Sequence, residues 1–130
     1  MKLAEYFEQK NGLGVLATAD AEGRVNTAIY ARPHVEDRDN LCFIMTERKT
    51  YANLKENPHA SYLFKEEGSA GADGVRLLLR KTGEEADAER IKQLMLRRYA
   101  PEDVGTLHLV HFHVEEILPL VSSGKCPITG

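Results

Sequence analysis

A chain of 130 residues, 42% hydrophobic and 28% charged, has the size and composition of one globular domain that can bury a core without disulfides or metals. Its formal net charge of -3 excludes a protein that wraps nucleic acid by bulk electrostatics, so any phosphate it binds is local and small. No apolar run reaches the length of a membrane span, and Met1-Lys2-Leu3-Ala4-Glu5-Tyr6 lacks the apolar centre of a signal peptide, which makes the cytoplasm the expected compartment.

Leu3, Tyr6 and Phe7 recur at helical spacing before Asn11-Gly12, which predicts a short helix over 2–10 that covers one end of a sheet. Leu13 to Ala19 is apolar and partly β-branched, and Asp20-Ala21-Glu22-Gly23 is turn chemistry, so a β-hairpin follows. In its second strand Val25, Thr27, Ile29 and Ala31 share one face, expected to be core. Asn26, Ala28, Tyr30, Arg32 and His34 share the other face, which suits solvent, a partner or a ligand. A polar turn at 36–40 leads into the third strand, Leu41 to Met45, where Cys42 is expected to be an inert core thiol.

That strand runs directly into Thr46-Glu47-Arg48-Lys49-Thr50-Tyr51-Ala52-Asn53-Leu54-Lys55-Glu56-Asn57-Pro58. Thr46 is the predicted N-cap of a helix of about three turns at most, and Asn57-Pro58 closes it. The first turn carries Arg48, Lys49 and the Thr50 hydroxyl, and cations oppose the helix dipole there unless an anion is brought to them. Free backbone N–H groups, the dipole and a lysine together favour a phosphate. From these residues alone, a phosphate site and a solvated pair of cations are equally open.

Ala60 to Phe64 alternates as a fourth strand, and the glycine-containing stretch 66–74 reads as a surface loop, either a plain connector or a lid. Val75 to Arg80 is a fifth strand ended by Thr82-Gly83, and Glu84 to Tyr99 is the longest helix, with Ile91, Leu94, Met95 and Tyr99 on one face. Leu107 to Val114 is the last strand, and Ser122 to Gly130 is expected to be a loosely held tail. Tight turns between successive strands predict an antiparallel, mainly β (α+β) domain, a small six-stranded barrel with flanking helices or else an open sandwich. His111 and His113 share one face of the last strand, His108 lies on the other, and no third ligand is identifiable, so no metal site is assigned. Cys42 and Cys126 lack metal-ligand spacing and are expected to be free thiols. No nucleophile, acid or base arrangement is legible, so no catalytic residue is assigned.

The succession Val25-Asn26-Thr27, Thr46-Glu47-Arg48-Lys49-Thr50 and Asn57-Pro58-His59-Ala60, with a Gly-rich loop before the fifth strand and a last strand after the long helix, resembles a known superfamily. It is the FMN-binding split β-barrel typified by pyridoxamine 5'-phosphate oxidase, and in length and layout the chain is similar to its small flavin-binding electron-transfer members. The resemblance implies one six-stranded antiparallel split β-barrel over 1–130, forming a homodimer that holds FMN in clefts between subunits. It implies that Lys49 and Thr50 grip the phosphate together with Asn26 and Thr27, and that Ala28 leaves room for the flavin. Met45 and Thr46 would run beside the isoalloxazine ring, and Arg48 matches a basic position that also suits a salt bridge. The partner would be a small-molecule substrate or a redox protein, neither nucleic acid nor membrane. The flavin then supplies the redox chemistry, and the expected role is electron transfer or flavin-dependent oxidoreduction of a small molecule.

Two departures bear on the oxidase reaction itself. The oxidase has an arginine and a lysine flanking its apolar run on strand two, where this chain has Asn26 and Thr27. The chain also ends short of the oxidase's C-terminal substrate-binding region, so vitamin B6 oxidation is not expected. The alternative is a non-enzymatic member of the same fold holding haem or another ligand, a role that His111 and His113 would favour.

Overall fold

The computed structural model describes residues 1–68, 71, 73–95 and 107–129. Its elements in chain order are α1 (Leu3–Gln9), β1 (Gly12–Ala19), β2 (Val25–Ile29), β3 (His34–Val35), β4 (Asn40–Thr46), α2 (Lys49–Glu56), β5 (His59–Glu66), β6 (Gly74–Glu85), α3 (Ala88–Met95) and β7 (Leu107–Pro119). All strand pairs are antiparallel, in one seven-stranded sheet of order β2-β1-β5-β6-β7-β4-β3. This is the split-barrel α+β fold, with seven strands rather than the expected six and a hydrogen-bond ladder that does not close.

The seventh strand comes from splitting the expected second one. β2 stops at Ile29, and residues 30–33 carry the chain to the opposite edge of the sheet, where His34 and Val35 pair with Cys42 and Leu41. Pro33 has no N–H to give a ladder, so a strand through it would lose a rung.

Inward-facing side chains from every long strand fill the barrel. Leu16, Phe43, Tyr62, Phe64, Leu77, Leu79, Val110 and Phe112 belong to one core cluster, with rings in edge or tilted contact at 5.0–5.9 Å for Phe43 with Tyr62 and Phe112. α1 stops one end with Leu3, Tyr6 and Phe7, whose rings meet Phe64 and Tyr62. The Tyr6 hydroxyl donates to Glu66 at 2.8 Å, and burial together with that carboxylate raises its pKa. Gly14 is required by close approach: a Cβ there would stand 1.9 Å from the Tyr62 hydroxyl. α3 lies over the outer face of β4 and β7, where Ile91 and Met95 bury Cys42, Leu107 and Leu109. Burial pushes the Cys42 thiol up to about 12, and Cys42 and Cys126 are both free.

Several expectations are corrected. The Val25, Thr27 and Ile29 face of β2 points outward, with Val25 81% and Ile29 75% exposed, while Asn26 and Ala28 are half-buried. Alternation divides a strand into two faces but does not say which one is inside, and here the inner face meets a polar surface of α2. β6 continues through Thr82-Gly83 to Glu85, because register shifts at Leu78/Leu79 and Lys81/Gly83 keep it paired with β7. The helix expected from Glu84 therefore begins at Ala88, and its expected end at 96–99 lies outside the described residues. The C-terminal segment is anchored rather than loose. Ile128 is buried in the main core, and the Thr129 N–H donates to the Met1 carbonyl at 2.9 Å. Among the described residues no helix is long and apolar enough to cross a membrane.

The hairpin that presents β2 depends on one buried carboxylate. Asp20 Oδ1 accepts the backbone N–H groups of Glu22 and Arg24, each at 2.9 Å, and Oδ2 accepts Arg24 Nε at 2.8 Å. The Arg24 N–H and then the Arg24 guanidinium hold its carboxyl below the usual range. A lowered folded pKa means stabilisation that is complete above the unfolded value and is lost as pH falls through the folded one. Asp20→Asn is accordingly expected to lower Tm at neutral pH. The gap to the wild type should close as melts are taken below about pH 4, and a gap independent of pH would show that the carboxylate charge is not what holds the turn.

Candidate functional site

The last residue of β4, Thr46, is exposed, and Glu47 and Arg48 turn the chain into α2. The Arg48 N–H donates to the Thr46 carbonyl at 2.9 Å, and the Arg48 carbonyl accepts Ala52 N–H at 2.9 Å as the first helical bond. Arg48, not Thr46, is thus the N-cap, and it makes no side-chain capping bond. The correction follows from length: β4 needs Thr46 for its rung with Leu107. The first-turn N–H groups of α2 consequently point out of the helix without a capping side chain.

Two residues of this helix face the barrel and dock it on β1 and β2. Asn53, 1% exposed, donates its Nδ2 to Thr18 Oγ1 at 3.1 Å and ties α2 to β1. Thr50, 3% exposed, takes Asn26 Nδ2 at 3.4 Å and so ties α2 to β2. Thr50 also bonds Tyr30, whose hydroxyl is raised in pKa by burial and partly restored by that contact. Sharing one helix face at a spacing of three residues, Thr50 and Asn53 are placed by the helix repeat itself.

The acidic residue of the junction is drawn away from the helix start. Glu47 Oε1 lies 2.8 Å from His108 Nε2 on β7, and the His108 ring stacks on Tyr51 at 4.5 Å between centroids. The Tyr51 hydroxyl donates to Glu84 at 3.1 Å, and Glu84 also takes Lys55 at 3.0 Å. Among the described residues no ion-pair or hydrogen-bond partner stands against the side chains of Arg48 and Lys49, both exposed. The junction therefore presents two solvent-facing cations and uncapped amide donors beside a buried hydroxyl, an arrangement that can receive a dianion.

Of the eight residues expected to hold a cofactor, the structure brings Asn26, Ala28 and Thr50 to the inner side of β2 and α2, with Thr46, Arg48 and Lys49 exposed at the helix start. Thr27 lies on the outer face of β2, away from Thr50. Met45 is 1% exposed inside the main core, so only its backbone can border a ligand. Sequence reasoning missed Tyr51, Asn53, Glu84 and His108 as supports of this site. The Thr50 to Asn53 spacing was a usable signal, whereas His108 and Glu84 arrive through strand pairing alone.

The family model described as pyridoxamine 5'-phosphate oxidase matches residues 2–120. The chain belongs to that family. No curated protein matches the sequence. Among solved structures, an FMN-binding protein from Syntrophomonas wolfei subsp. wolfei superposes with a TM-score of 0.76 at 22% identity, covering 92% of this chain and 84% of that one. HupZ of Group A Streptococcus gives 0.72 at 20% identity, covering 95% and 94%. An FAD-binding protein from Mesorhizobium loti gives 0.65 at 16% identity, covering 88% of each chain. At these identities the likeness concerns the fold.

The docking of α2 can be tested through its buried amide. Asn53→Ala leaves the Thr18 hydroxyl without its donor and should cost about 1–3 kcal/mol in urea unfolding. An unaltered midpoint would mean that the helix is held on the barrel by its apolar contacts alone.

Proposed function

We propose that this protein is an FMN-binding redox protein, a homodimer that passes electrons or hydride to a small molecule or a redox partner. The observation that carries the reading is the start of α2, where Arg48 and Lys49 are without partners among the described residues and no side chain caps the helix. Cations in that position oppose the dipole, and a phosphate monoester turns the conflict into attraction. Membership of the family supports it, as does the fold shared with one protein described as FMN-binding and another described as FAD-binding.

In this reading Lys49, Arg48 and the amides of the first turn bind the phosphate, and Thr50 is oriented toward it by Asn26 and Tyr30. Exposed Thr46 offers backbone groups to the polar edge of the ring, while Ala28 leaves space on β2. When bound, the flavin supplies the electron-transfer chemistry, and the protein's part is to position it and limit access. The outward apolar row supports a dimer: Val25 and Ile29 on β2, Leu13 on β1 and Leu63 on β5 are all exposed on one side of the sheet, and Val15 lies between Ile29 and Leu63 in register. A second copy packed there by two-fold symmetry buries this row and sets a neighbouring subunit beside β2. The haem alternative has less support, because both ring nitrogens of His111 lie at carboxylates and His113 Nδ1 is 3.4 Å from Asn40 Oδ1.

Titrating FMN against riboflavin, with fluorescence as the readout, tests the phosphate assignment. FMN should bind much more tightly than riboflavin at one per subunit, and Lys49→Ala should weaken FMN by about 1.5–3 kcal/mol, roughly 10- to 150-fold, without changing riboflavin. Equal affinities for the two flavins would overturn the assignment. The dimer is tested separately by light scattering: Ile29→Asp is expected to give monomer mass with an unchanged circular dichroism spectrum, and dimer mass in that variant would exclude the β2 face as the interface.

A further inference from the structure

On the half of the barrel that α3 covers, five groups from five different segments close on one point. Cys42 on β4 and His111 on β7 are direct partners in the ladder. They share the outer face with Leu109, where opposed Cβ atoms stand about 4.5–5.5 Å apart. Glu36 comes from the turn between β3 and β4, its N–H held by the Asn40 carbonyl at 2.8 Å. Glu36, Cys42 and His111 thereby bring a carboxylate oxygen, a sulfur and a ring nitrogen within 4.8 Å of one another. His111 Nδ1 lies 2.5 Å from Glu36 Oε1, and its Nε2 lies 2.8 Å from Glu85 Oε2 at the end of β6. Arg90 of α3 completes the circuit on the outer oxygens, 3.0 Å from Glu36 Oε2 and 3.5 Å from Glu85 Oε1.

We propose that Glu36, Cys42 and His111 form a binding site for a divalent transition-metal ion of the zinc class, supported by Glu85 and Arg90 and open at its fourth position to the adjoining cleft. An ion network explains Glu36, His111, Glu85 and Arg90 but leaves the sulfur only its packing against Ile91 and Met95, since a thiol is a weak donor and acceptor. A metal ion uses all five. Sulfur, imidazole and carboxylate together form a set that zinc accepts and that calcium and magnesium, which take oxygen, do not. A histidine that ligates a metal through one nitrogen characteristically gives its other N–H to a carboxylate, which is the relation of His111 Nε2 to Glu85.

Charge balances as well. Two carboxylates and a Cys42 thiolate bring three negative charges and Arg90 one positive, so a divalent ion beside a neutral His111 makes the ensemble neutral. On binding, the thiol proton and the proton shared between His111 and Glu36 leave to solvent, and bonds from sulfur, nitrogen and oxygen to the metal replace them. Ligands about 2.0–2.1 Å from a tetrahedral ion stand about 3.3 Å apart, so His111 Nδ1 and Glu36 must separate by less than about 1 Å. Glu36 is exposed and lies in a turn, so it can make that movement. Access is provided by a cleft of about 500 Å³ between α1, β3 and α3, lined among others by Pro33, Glu36, Cys42, Arg90 and Leu94. His111 and His113, two residues apart on one strand, have no third ligand near them in the sequence. The structure sets His111 against Cys42 by strand registry and against Glu36 by the turn that precedes β4.

The test uses the full chain stripped with a chelator and titrated with Zn2+ and Co2+ alone. One Zn2+ per chain is expected, undisturbed by excess Ca2+ or Mg2+. Co2+ should give the intense visible absorption of a tetrahedral ion together with a near-ultraviolet sulfur-to-cobalt band. Cys42→Ser should abolish that band and Cys126→Ser should leave it. Glu85→Gln should weaken Zn2+ about 10- to 100-fold with stoichiometry retained. Absence of saturable Zn2+ binding by the wild type, or a sulfur band that follows Cys126 instead of Cys42, would overturn the proposal. Should Cys42→Ser not fold, Glu36→Gln at an exposed position decides: Zn2+ affinity equal to wild type in that variant excludes the site. Flavin affinity plays no part in these outcomes.

Discussion

The fold depends on a link too short for the sheet it spans. From Ile29 at the end of β2 to His34 at the start of β3 the chain takes five Cα steps, which reach at most about 18 Å. Seven strands laid flat would hold those two edges about 29 Å apart. The sheet must therefore curl until its edges face each other, although no ladder joins them. The link is fastened from both sides. The Tyr62 hydroxyl lies 3.1 and 3.2 Å from the carbonyls of Tyr30 and Ala31, and Arg32 donates to the carbonyls of Phe7 and Lys10 at 2.9 and 2.8 Å. One tyrosine in the barrel and one arginine reaching α1 thus fix the curl and the plug at one end together. Gly14 yields the space that Tyr62 needs to do so.

Curling gives the barrel two ends and two outer halves, and each is finished differently. α1 closes one end with aromatic rings, whereas α2 closes the other with a hydroxyl and an amide. That polar plug explains why β2 turns Asn26 and Ala28 inward and leaves Val25 and Ile29 to the outside. Outside, α3 shields the β4 and β7 half, while the half formed by β2, β1 and β5 keeps an uncovered apolar row. At the α2 end, His108 diverts Glu47, so the junction keeps its positive charge instead of neutralising it internally. A helix start left positive and uncapped is destabilised on its own, which makes it a place where a bound anion contributes stability to the fold.

Much of this was legible in the sequence because it is local. Leu3, Tyr6 and Phe7 mark α1, Asp20 to Gly23 mark the hairpin turn, and Asn57-Pro58 stops α2 where expected. Alternation in β5 correctly set Tyr62 and Phe64 against Ser61 and Leu63. What failed was global. Apolar Val25 and Ile29 look like core until it is known that α2 presents polar groups to that strand. Glu84 and Glu85 look like the acidic first turn of a helix, because nothing local reveals that β7 supplies rungs to both. Thr46 has the chemistry of a cap but is spent as a strand residue, and Ile128 in a Gly- and Pro-bearing tail gives no hint of the core it enters.

The stretch misread as helix turns out to set the phase of two sites. Before the irregularity Lys81 pairs with Phe112, and after it Gly83 pairs with His111, so Thr82 is an extra residue on β6. A one-residue insertion exchanges the faces of everything beyond it. Glu84 consequently faces inward, to Tyr51 and Lys55 below α2, and Glu85 faces outward, to His111 and Arg90 below α3. Without the bulge these carboxylates would change places, leaving Glu85 toward α2 and Glu84 among the outer groups, each one residue out of step with its partners. The three-residue spacing of His108 and His111 on β7 makes the same division, one ring inward to Tyr51 and one outward to Cys42. Neighbouring residues on two paired strands are thereby allotted to opposite sides of a single sheet. Gly83, with open space where a Cβ would stand, occupies the position at which that allotment is made.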